Sequence, residues 1–361
     1  MVDGYELGPH GAGVGRVVKN ILPRLSNELS DAQFFVLTRE VVGPFHSRFL
    51  HQLVLPSRRG YFRWQNGPFW RACWRLHPDL ILAFNYTLPL YSPWPSVLFV
   101  HDVSILSHPE WFPSKTARWR GLVLRRSLRR AEVVVVPSKA TQDELLVHGR
   151  IEKEKIKLIY YGVEDKFEPM EGEAVLRWKK ARGLGSARVI GFLGSIFRRR
   201  HLPLLVEAVA QLRERNPDIF LYVIGQDRTY PPEDMAAHFD RDWIKWDRYL
   251  PEAEIPLFYT ACDVFAYLSE YEGFGLPPLE ALACGSIPVV LNRSSLGEVF
   301  SDLAVLVDIP SVEAVSEALE RALNDVSTRV AIQVKFRGRR SEFSWDRASR
   351  ELAALILRMA G

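Results

Sequence analysis

The sequence predicts an α/β chain folded as two doubly wound domains, each a parallel sheet covered by helices. Three observations favour this fold class. The chain has 361 residues, more than the roughly 250–300 that one hydrophobic core supports. Its strand-like runs are short and continuously apolar, as expected for strands buried on both faces. Helical patterns separate these runs, which is typical of βαβ units.

Ten runs are predicted as strands, in two sets. The first set comprises residues 34–38, 80–84, 96–101, 133–137 and 156–162. The second set comprises residues 188–194, 220–225, 263–269, 287–291 and 304–308. Helical patterns at 201–216 and 312–326 lie within the second set. The segment 343–359 predicts one amphipathic helix, with Ser344 as its N-cap.

The two sets of strands divide near residues 160–174, a stretch rich in glycine, proline and acids. We therefore expect one domain over 1–162, a second over 163–340 and a terminal segment over 341–361. In doubly wound folds, ligands bind outside the carboxyl ends of the strands. A cleft between the two domains is the expected place for a ligand.

Composition excludes several classes of function. The net charge is only +4, with 47% apolar and 25% charged residues, so a general nucleic-acid role is not indicated. The cysteines Cys73, Cys262 and Cys284 lie in apolar contexts without zinc-ligand spacing, which favours buried thiols. No apolar run reaches the ~20 residues of a membrane span, and the first residues lack signal-peptide features. We expect a cytoplasmic protein that can still contact the inner face of a membrane.

The segment EYEGFGLPPLEALACGSIPVV (270–290) places Glu272 and Glu280 around a glycine-proline turn. The prolines fit the first turn of a helix, where the missing N–H is not needed. Glycines at 273 and 275 let the backbone approach a ligand closely. A helix N-terminus attracts phosphate, and carboxylates accept hydrogen bonds from sugar hydroxyls. The pattern indicates a nucleotide-sugar site. The alternative is a first-turn acid that favours the helix dipole and a solvated loop acid.

Arg198, Arg199 and Arg200 follow the predicted strand 188–194. Guanidinium groups match phosphate oxygens and stabilise a departing diphosphate. The alternative interpretation is a solvated basic turn.

His101 and Asp102 end the predicted strand 96–101, where a side chain faces the ligand side of a parallel sheet. The imidazole of His101 can bind a sugar hydroxyl or help an acceptor lose its proton. The alternative is a histidine whose hydrogen bonds are satisfied in the core.

Two short motifs carry less weight. GPHGAGVGRVVKN (8–20) lacks the third glycine of a dinucleotide fingerprint, because Arg16 stands there, and no full strand precedes it. Either the first strand is very short or the chain begins a few residues late. Asp240-Arg241-Asp242 is a literal D-x-D that could hold a metal on phosphates, but its polar surroundings favour a surface loop.

Two basic, aromatic stretches span Arg58–Leu76 and Arg118–Glu132. Amphipathic basic surfaces of this kind lie on anionic membranes or meet lipid-diphosphate acceptors. Alternatively, the aromatic side chains pack inside and the arginines are solvated.

The segment 270–290 resembles the E-x7-E signature of the family 4 retaining glycosyltransferases, which have the GT-B fold of two Rossmann-like domains. Other segments are similar to the family in the same order along the chain. They are FVHDVSILSHPEWFP (99–113), VVVPSKATQDEL (134–145), IYYGVEDKFEP (159–169), FLGSIFRRRHLPLLVEA (192–208), SSLGEV (294–299), AVLVD (304–308) and FSWDRASREL (343–352). The last of these implies a C-terminal helix that crosses back to the N-terminal domain.

The resemblance implies a catalytic set and a donor-binding set of residues. The catalytic set is Glu272, His101, Arg199 and Arg200. The donor-binding set is Gly13, Gly273, Phe274, Gly275, Leu276, Glu280 and Asp102. No metal or other cofactor is implied beyond the nucleotide-sugar donor.

Within these sets, Glu272 would contact the donor hexose, and amides at the helix N-terminus would contact the phosphates. Glu280 would bind the ribose hydroxyls, Arg199 and Arg200 the departing diphosphate, and Gly13 would keep space beside it. Ser195 stands where many members carry another arginine, which is a departure from the family pattern.

The likeness to bacterial mannosyltransferases of surface-polysaccharide assembly implies GDP-mannose as donor and a glycan or lipid-linked saccharide as acceptor. The departing phosphate would take the acceptor's proton, with double displacement through Glu272 as the minority mechanism. The alternatives are a UDP-hexose-dependent transferase, a GT-B nucleotide-sugar epimerase, a nicotinamide-dependent oxidoreductase and a non-catalytic sugar-nucleotide-binding protein.

Overall fold

A computed structural model describes residues 1–8, 13–43, 47–57 and 60–360. The chain divides into two compact units. Unit 1 comprises Met1–Gly162 together with Glu342–Gly361, and unit 2 comprises Val163–Ser341.

Unit 1 is built on a parallel sheet with strand order β3-β2-β1-β4-β5-β6-β7. Its strands are β1 Val2–Asp3, β2 Phe34–Thr38, β3 Leu50–Val54, β4 Ile81–Ala83, β5 Ser96–Phe99, β6 Val133–Val136 and β7 Ile156–Leu158. Its helices before residue 162 are α1 Gly13–Glu28, α2 Tyr61–Trp64, α3 Trp70–Leu76, α4 Ser104–Ser107, α5 Ser114–Arg130 and α6 Lys139–Gly149. A π-helical segment, Gln65–Phe69, joins α2 to α3.

Strand β1 is only two residues long but lies inside this sheet, between β2 and β4. Val2 and Asp3 pair with Val36 and Leu37 of β2 on one side. On the other side they pair with β4. The short first strand that the sequence suggested is therefore present, and it places Asp3 at the ligand edge of the sheet.

Unit 2 repeats the same plan with six parallel strands in the order β10-β9-β8-β11-β12-β13. The strands are β8 Arg188–Leu193, β9 Ile219–Ile224, β10 Ile244–Asp247, β11 Val264–Tyr267, β12 Ile287–Leu291 and β13 Val305–Val307. The helices are α7 Gly172–Ala181, α8 Leu202–Arg213, α9 Met235–Phe239, α10 Ile255–Ala261, α11 Leu276–Ala283, α12 Ser294–Val299, α13 Val312–Asn324 and α14 Val326–Arg339.

The last helix, α15 Trp345–Ala360, returns the chain to unit 1 and packs on α1. Ser344 caps it, since its hydroxyl accepts a hydrogen bond from the Arg347 amide at 3.4 Å. Trp345 is buried and stacks on Tyr161, with ring centroids 5.5 Å apart. Gly162 makes this junction possible, because a Cβ there would lie 2.3 Å from the Trp345 amide nitrogen.

All ten predicted strands are present, and the prediction of two parallel-sheet domains covered by helices is confirmed. The strands β3 and β10 had no prediction. Both lie at a sheet edge, and their sequences LHQLV and IKWD are only partly buried. Edge strands do not need the continuous apolar character by which buried strands are recognised.

Candidate functional site

The glycine-proline turn of 270–290 connects β11 to the N-terminus of α11, as the sequence indicated. Gly275 is the residue before the helix and has φ +102°, a left-handed conformation that favours glycine. A Cβ at Gly275 would lie 2.7 Å from Leu296 Cδ2 and 3.0 Å from Phe300 Cε2. Glycine therefore fixes how the chain enters α11, and with it the direction of the first helical amides.

The residues around this turn differ in exposure. Gly273 and Leu276 are half-buried, whereas the Phe274 ring is buried. Pro277 lies in the first turn of α11. The backbone at 273–276 is thus placed where a phosphate can reach the helix N-terminus.

Glu272 and Arg200, both predicted as catalytic residues, form an ion pair. Glu272 Oε1 lies 2.7 Å from Arg200 Nη2 and 2.9 Å from Arg200 Nε. Although burial disfavours its charge, the Glu272 carboxylate holds the pKa of Arg200 above its ordinary value. Arg200 also donates to the Ser195 carbonyl at 2.7 Å, and its guanidinium lies over the Tyr267 ring. The predicted basic turn is therefore not simply solvated at Arg200.

Glycine also makes room for this arginine. Gly194 follows β8 with φ +146°, and a Cβ there would lie 2.7 Å from Arg200 Nη1. A Cβ at Gly225, at the end of β9, would lie 1.9 Å from the Gly194 carbonyl oxygen. The carboxyl ends of β8 and β9 therefore approach each other closely through the backbones of two glycines. The Arg200 guanidinium occupies the space that a side chain at Gly194 would need.

Arg199 is half-buried in the short turn Arg198–Arg200, with its guanidinium over the Phe197 ring at 4.3 Å. The Arg199 carbonyl accepts a hydrogen bond from the Glu270 amide at 2.9 Å. This bond ties the basic turn after β8 to the loop after β11, so the structure brings Arg199, Arg200 and Glu272 together.

Two serines that carried no role in the sequence reasoning hold this loop. Ser294 and Ser295 hydroxyls donate to the Glu272 carbonyl at 2.9 and 2.7 Å. Both serines open α12, within the SSLGEV segment that marked the family resemblance. The segment therefore fixes the backbone of Glu272 while the Glu272 side chain faces Arg200.

Glu280 is 1% exposed and accepts a hydrogen bond from the Tyr259 hydroxyl at 3.0 Å. Tyr259 lies on α10 and was not singled out from the sequence. Glu280 is therefore not a solvated first-turn acid, although contact with a ribose stays a prediction.

In unit 1, His101 is buried with both ring nitrogens hydrogen-bonded. Nε2 lies 2.6 Å from the Phe84 carbonyl oxygen, and Nδ1 lies 2.5 Å from the Tyr161 hydroxyl. A carbonyl only accepts, so Nε2 carries the proton and Nδ1 accepts from Tyr161. Burial lowers the pKa of His101. This geometry is that of a histidine satisfied in the core, and a bond to a sugar would have to replace one of these two.

Asp102 accepts hydrogen bonds from the Tyr86 hydroxyl at 2.8 Å and from the Ser104 amide and hydroxyl at 2.9 and 2.6 Å.

Gly13 begins α1, and nothing lies within 4 Å of a Cβ built on it. Residues 9–12 of the glycine-rich turn lie outside the described residues. Donor binding by Asp102 and Gly13 stays a prediction.

A cavity of about 730 Å³ lies in unit 1, and sequence reasoning had not found it. Its lining includes Glu6, Tyr86, Asp102, Phe62, Trp119 and Arg120. Glu6 follows β1, Tyr86 follows β4 and Asp102 follows β5, so the cavity opens at the carboxyl edge of the sheet. Residues so far apart in the chain give no local sequence signal.

The two basic, aromatic stretches contain both buried and exposed aromatic side chains, and membrane contact stays a prediction. Arg58 and Arg59 lie outside the described residues. Trp64 and Phe69 are buried, whereas Trp74, Trp119 and Leu122 are 39%, 48% and 58% exposed. We call the exposed set the basic-aromatic surface: Arg71, Trp74 and Arg75 on α3, Tyr91, and Lys115, Arg118, Trp119, Leu122, Arg126 and Arg129 on α5.

Contacts join the two parts of the basic-aromatic surface. Trp74 stacks on Tyr91, with ring planes 4° apart. Arg130 lies over Tyr91, and Arg126 donates to the Leu90 carbonyl at 2.9 Å. Among the described helices, none is both long and apolar enough to cross a bilayer.

Asp240, Arg241 and Asp242 are exposed, which confirms the interpretation of this D-x-D as surface. The three cysteines are buried and unpaired with one another, also as expected.

Comparisons with known proteins match both halves of the chain. A family model described as Glycosyltransferase Family 4 matches residues 11–167, and one described as Glycosyl transferases group 1 matches residues 176–337. The O-antigen chain mannosyltransferase B of Escherichia coli is 26% identical over 255 residues, which cover 70% of this chain and 67% of that protein. The serotype-specific mannosyltransferase WbdA of Escherichia coli is 23% identical over 262 residues, covering 70% of this chain but only 32% of WbdA.

Among solved structures, HepE of Anabaena in complex with UDP-glucose superposes with a TM-score of 0.78. The superposition covers 99% of this chain and 98% of HepE at 18% sequence identity. At this identity the likeness shows the fold.

Proposed function

Because the chain belongs to the family 4 glycosyltransferases and has the GT-B fold, we propose that it moves mannose from GDP-mannose to a glycan or lipid-linked saccharide, with retention at the anomeric carbon. The observation that carries the proposal is the Arg200–Glu272 ion pair beside the N-terminus of α11. A cation for the diphosphate and a carboxylate for the hexose stand side by side there.

Arg200 and Glu272 neutralise each other as an ion pair. A diphosphate at the N-terminus of α11 offers Arg200 a second anion, and its charge is stabilised by both guanidinium and helix amides. The Glu272 carboxylate then accepts hydrogen bonds from hexose hydroxyls. Arg199, on the same turn, adds charge where the diphosphate departs.

In the reaction, the bond from the anomeric carbon to the phosphate oxygen breaks and a bond to the acceptor oxygen forms on the same face. The acceptor hydroxyl gives its proton to the departing phosphate. Glu272 is engaged by Arg200 rather than held as an isolated nucleophile, which supports this course over double displacement. No metal has a step in this scheme, and we propose that none is required.

The choice of mannose rests on the two relatives named as mannosyltransferases, at 26% and 23% identity. The second candidate is a UDP-hexose donor, the class of donor bound in the HepE complex with UDP-glucose. Polysaccharide assembly is the process we infer, again from the O-antigen relative.

The test is a thermal-shift series with GDP, UDP, ADP, TDP and NADH in the presence of EDTA. A ligand that binds the native state raises the unfolding midpoint by mass action. We expect a rise with GDP that EDTA does not abolish. A rise with UDP alone would move the donor to a UDP-hexose, and a rise with NADH alone would contradict a transferase. Proton NMR of the product then gives its anomeric configuration, and inversion would overturn the retaining mechanism.

The variant Glu280→Gln distinguishes a role of Glu280 in ribose binding from a role in the stability of the fold. Glutamine keeps an oxygen that accepts from Tyr259 but removes the charge, so we expect a normal unfolding midpoint and roughly tenfold weaker nucleotide binding. Glu317→Gln, on the exposed face of α13, is the control and should bind nucleotide normally. Equal affinity in both variants would remove Glu280 from the donor site.

We further propose that the basic-aromatic surface lies on an anionic membrane. Residues 60–76 and 114–130 contain no acidic residue, and arginines alternate there with exposed tryptophan and leucine. Such a surface combines electrostatic attraction with shallow apolar burial.

A further inference from the structure

The Glu280 carboxylate lies inside unit 2. Glu280 is 1% exposed and belongs to α11, the helix whose N-terminus faces the proposed diphosphate. A buried charge is tolerated where hydrogen-bond donors meet it, and the Tyr259 hydroxyl donates to Glu280 Oε2 at 3.0 Å. A carboxylate accepts about four hydrogen bonds, so the bond from Tyr259 does not by itself exclude ligand hydroxyls.

Two aromatic rings hold the Tyr259 ring in place. Phe167 meets it edge to face, with centroids 5.8 Å apart. Phe265 of β11 meets it in the same manner at 5.3 Å. All three rings are fully buried, and aromatic pairs of this geometry are favourable beyond the area they bury. The ring therefore has a fixed place, and its hydroxyl points at Glu280.

The helix that carries Tyr259 is fixed on either side of this residue. Phe258, the preceding residue of α10, meets the Tyr222 ring edge to face, with centroids 5.4 Å apart. The hydroxyl of Thr260, the following residue, accepts a hydrogen bond from the Met170 amide at 3.2 Å. The position of Tyr259 is thus set by contacts of α10 with other parts of unit 2.

Phe167 belongs to a segment that is itself attached to α10. The neighbouring Lys166 pairs with Glu252 at 2.7 Å and with Glu164 at 3.1 Å. Glu252 lies in the short turn that leads into α10. These ion pairs are partly exposed and contribute little on their own, but they keep Phe167 beside the helix. The support of Glu280 thus extends from the first residues of unit 2 through α10 to α11.

We propose that Tyr259 is a positioning residue for donor binding, whose hydroxyl fixes the Glu280 carboxylate in the orientation that accepts hydrogen bonds from the ribose hydroxyls. Ordering a side chain on binding costs free energy, and a side chain already held in its bound orientation avoids that cost. The proposal rests on the proposed function, in which Glu280 meets the ribose.

The experiment measures dissociation constants by calorimetry for GDP and UDP, each beside its 2′,3′-dideoxy form. We expect the unsubstituted protein to prefer the ribose form of its nucleotide by roughly tenfold. In Tyr259→Phe this preference should fall to roughly threefold, with unchanged affinity for the dideoxy form. A general loosening of the site would weaken both forms alike, which would contradict a positioning role.

The matched control is Tyr222→Phe. It removes another hydrogen bond from a buried tyrosine to a carboxylate of unit 2, Asp247, and should leave the preference for ribose unchanged. An equal fall in both variants would overturn the assignment to Tyr259. Phe167→Leu keeps the Tyr259 hydroxyl but removes one of its ring contacts, and should lower the preference in the same direction if Tyr259→Phe does not fold.

A double-mutant cycle tests whether Tyr259 acts through Glu280. When Glu280→Gln is already present, adding Tyr259→Phe should not lower the preference for ribose any further. Two additive losses would show that Tyr259 acts elsewhere.

The outcomes separate this proposal from the proposed function. If Glu280→Gln weakens nucleotide binding but Tyr259→Phe keeps the tenfold preference, the positioning role is wrong and the donor site stands. If neither GDP nor UDP binds the unsubstituted protein, the proposed function fails, and the role of Tyr259 fails with it.

Discussion

Asp3 ends β1, an interior strand of the unit 1 sheet, and is 2% exposed. Tyr61 donates to it at 2.6 Å and Gln65 at 3.4 Å. Burial nevertheless raises the pKa of Asp3 to about 6, with the nearby Glu6 charge acting in the same direction. A short β1 therefore places a carboxyl where its ionised form is disfavoured.

This pKa predicts a dependence of stability on pH. The protonated form favours the folded state, so its contribution is complete below about pH 4 and is lost as pH rises towards 6. The loss amounts to about 3 kcal/mol. Asp3→Asn should therefore gain stability relative to the unsubstituted protein as pH rises from 4 to 7, measured as unfolding midpoints. Asp79→Asn, an exposed control, should not change the slope. If the unfolding midpoints of Asp3→Asn and of the unsubstituted protein change in parallel with pH, the pKa of Asp3 is not raised.

Gly275 supports a second prediction at the residue scale. Gly275→Ala adds a Cβ against Leu296 and Phe300 in a left-handed conformation, so we expect a loss of about 1–3 kcal/mol in stability and weaker nucleotide binding. Gly183→Ala, at φ +73° with nothing within 4 Å of its Cβ, carries the backbone cost alone. If both variants bind nucleotide alike, the turn before α11 does not set the donor site.

Residue partners mark the limit of what the sequence could predict. The pattern of 270–290 identified Glu272, but its partner Arg200 lies 72 residues earlier. Likewise, nothing local shows that His101 meets Tyr161 or that Glu280 meets Tyr259. Such pairs depend on strand order, which periodicity does not report.

Elements were easier to predict than partners. Buried strands such as β2 and β12 have the same bounds as their apolar runs, because both faces are covered. By contrast, β3 and β10 lie at sheet edges, where polar residues are tolerated, and their sequences LHQLV and IKWD lack a continuous apolar run. The cavity in unit 1 has no sequence signal at all, since it is formed by the ends of several elements.

Helix α15 gives a prediction at the scale of elements. Leu352 is fully buried and Leu357 is 60% exposed on the same helix. Leu352→Ala should lower the stability of unit 1 by about 2–5 kcal/mol, whereas Leu357→Ala should change it little. The difference in stability between the two variants is measured as the hydrogen-exchange protection of the backbone amides in the strands of unit 1. Equal protection in the two variants would show that α15 does not stabilise this unit.

At the scale of the whole molecule, the basic-aromatic surface predicts salt-dependent binding to vesicles of phosphatidylglycerol and phosphatidylcholine. Each basic residue near an anionic surface contributes about 1 kcal/mol. Lys115→Gln with Arg118→Gln should therefore weaken binding by roughly ten- to thirtyfold in a flotation assay.

The control is Lys335→Gln with Arg337→Gln, exposed on α14 in unit 2, which removes the same charge elsewhere. Binding by all three proteins should fall as salt rises. Equal weakening by both double variants would mean that net charge, and not this surface, attracts the protein to lipid.

Because α15 packs on α1, unit 1 is synthesised first but can complete its fold only after unit 2 has been synthesised. Unit 2 is one contiguous stretch, Val163–Ser341, so it can fold as soon as it leaves the ribosome. The seven-stranded sheet is synthesised first, yet α1 lacks its packing partner α15 until residues beyond 342 have been translated. The first domain to emerge is thus the last to be finished, and its nascent form is the one that chaperones would meet.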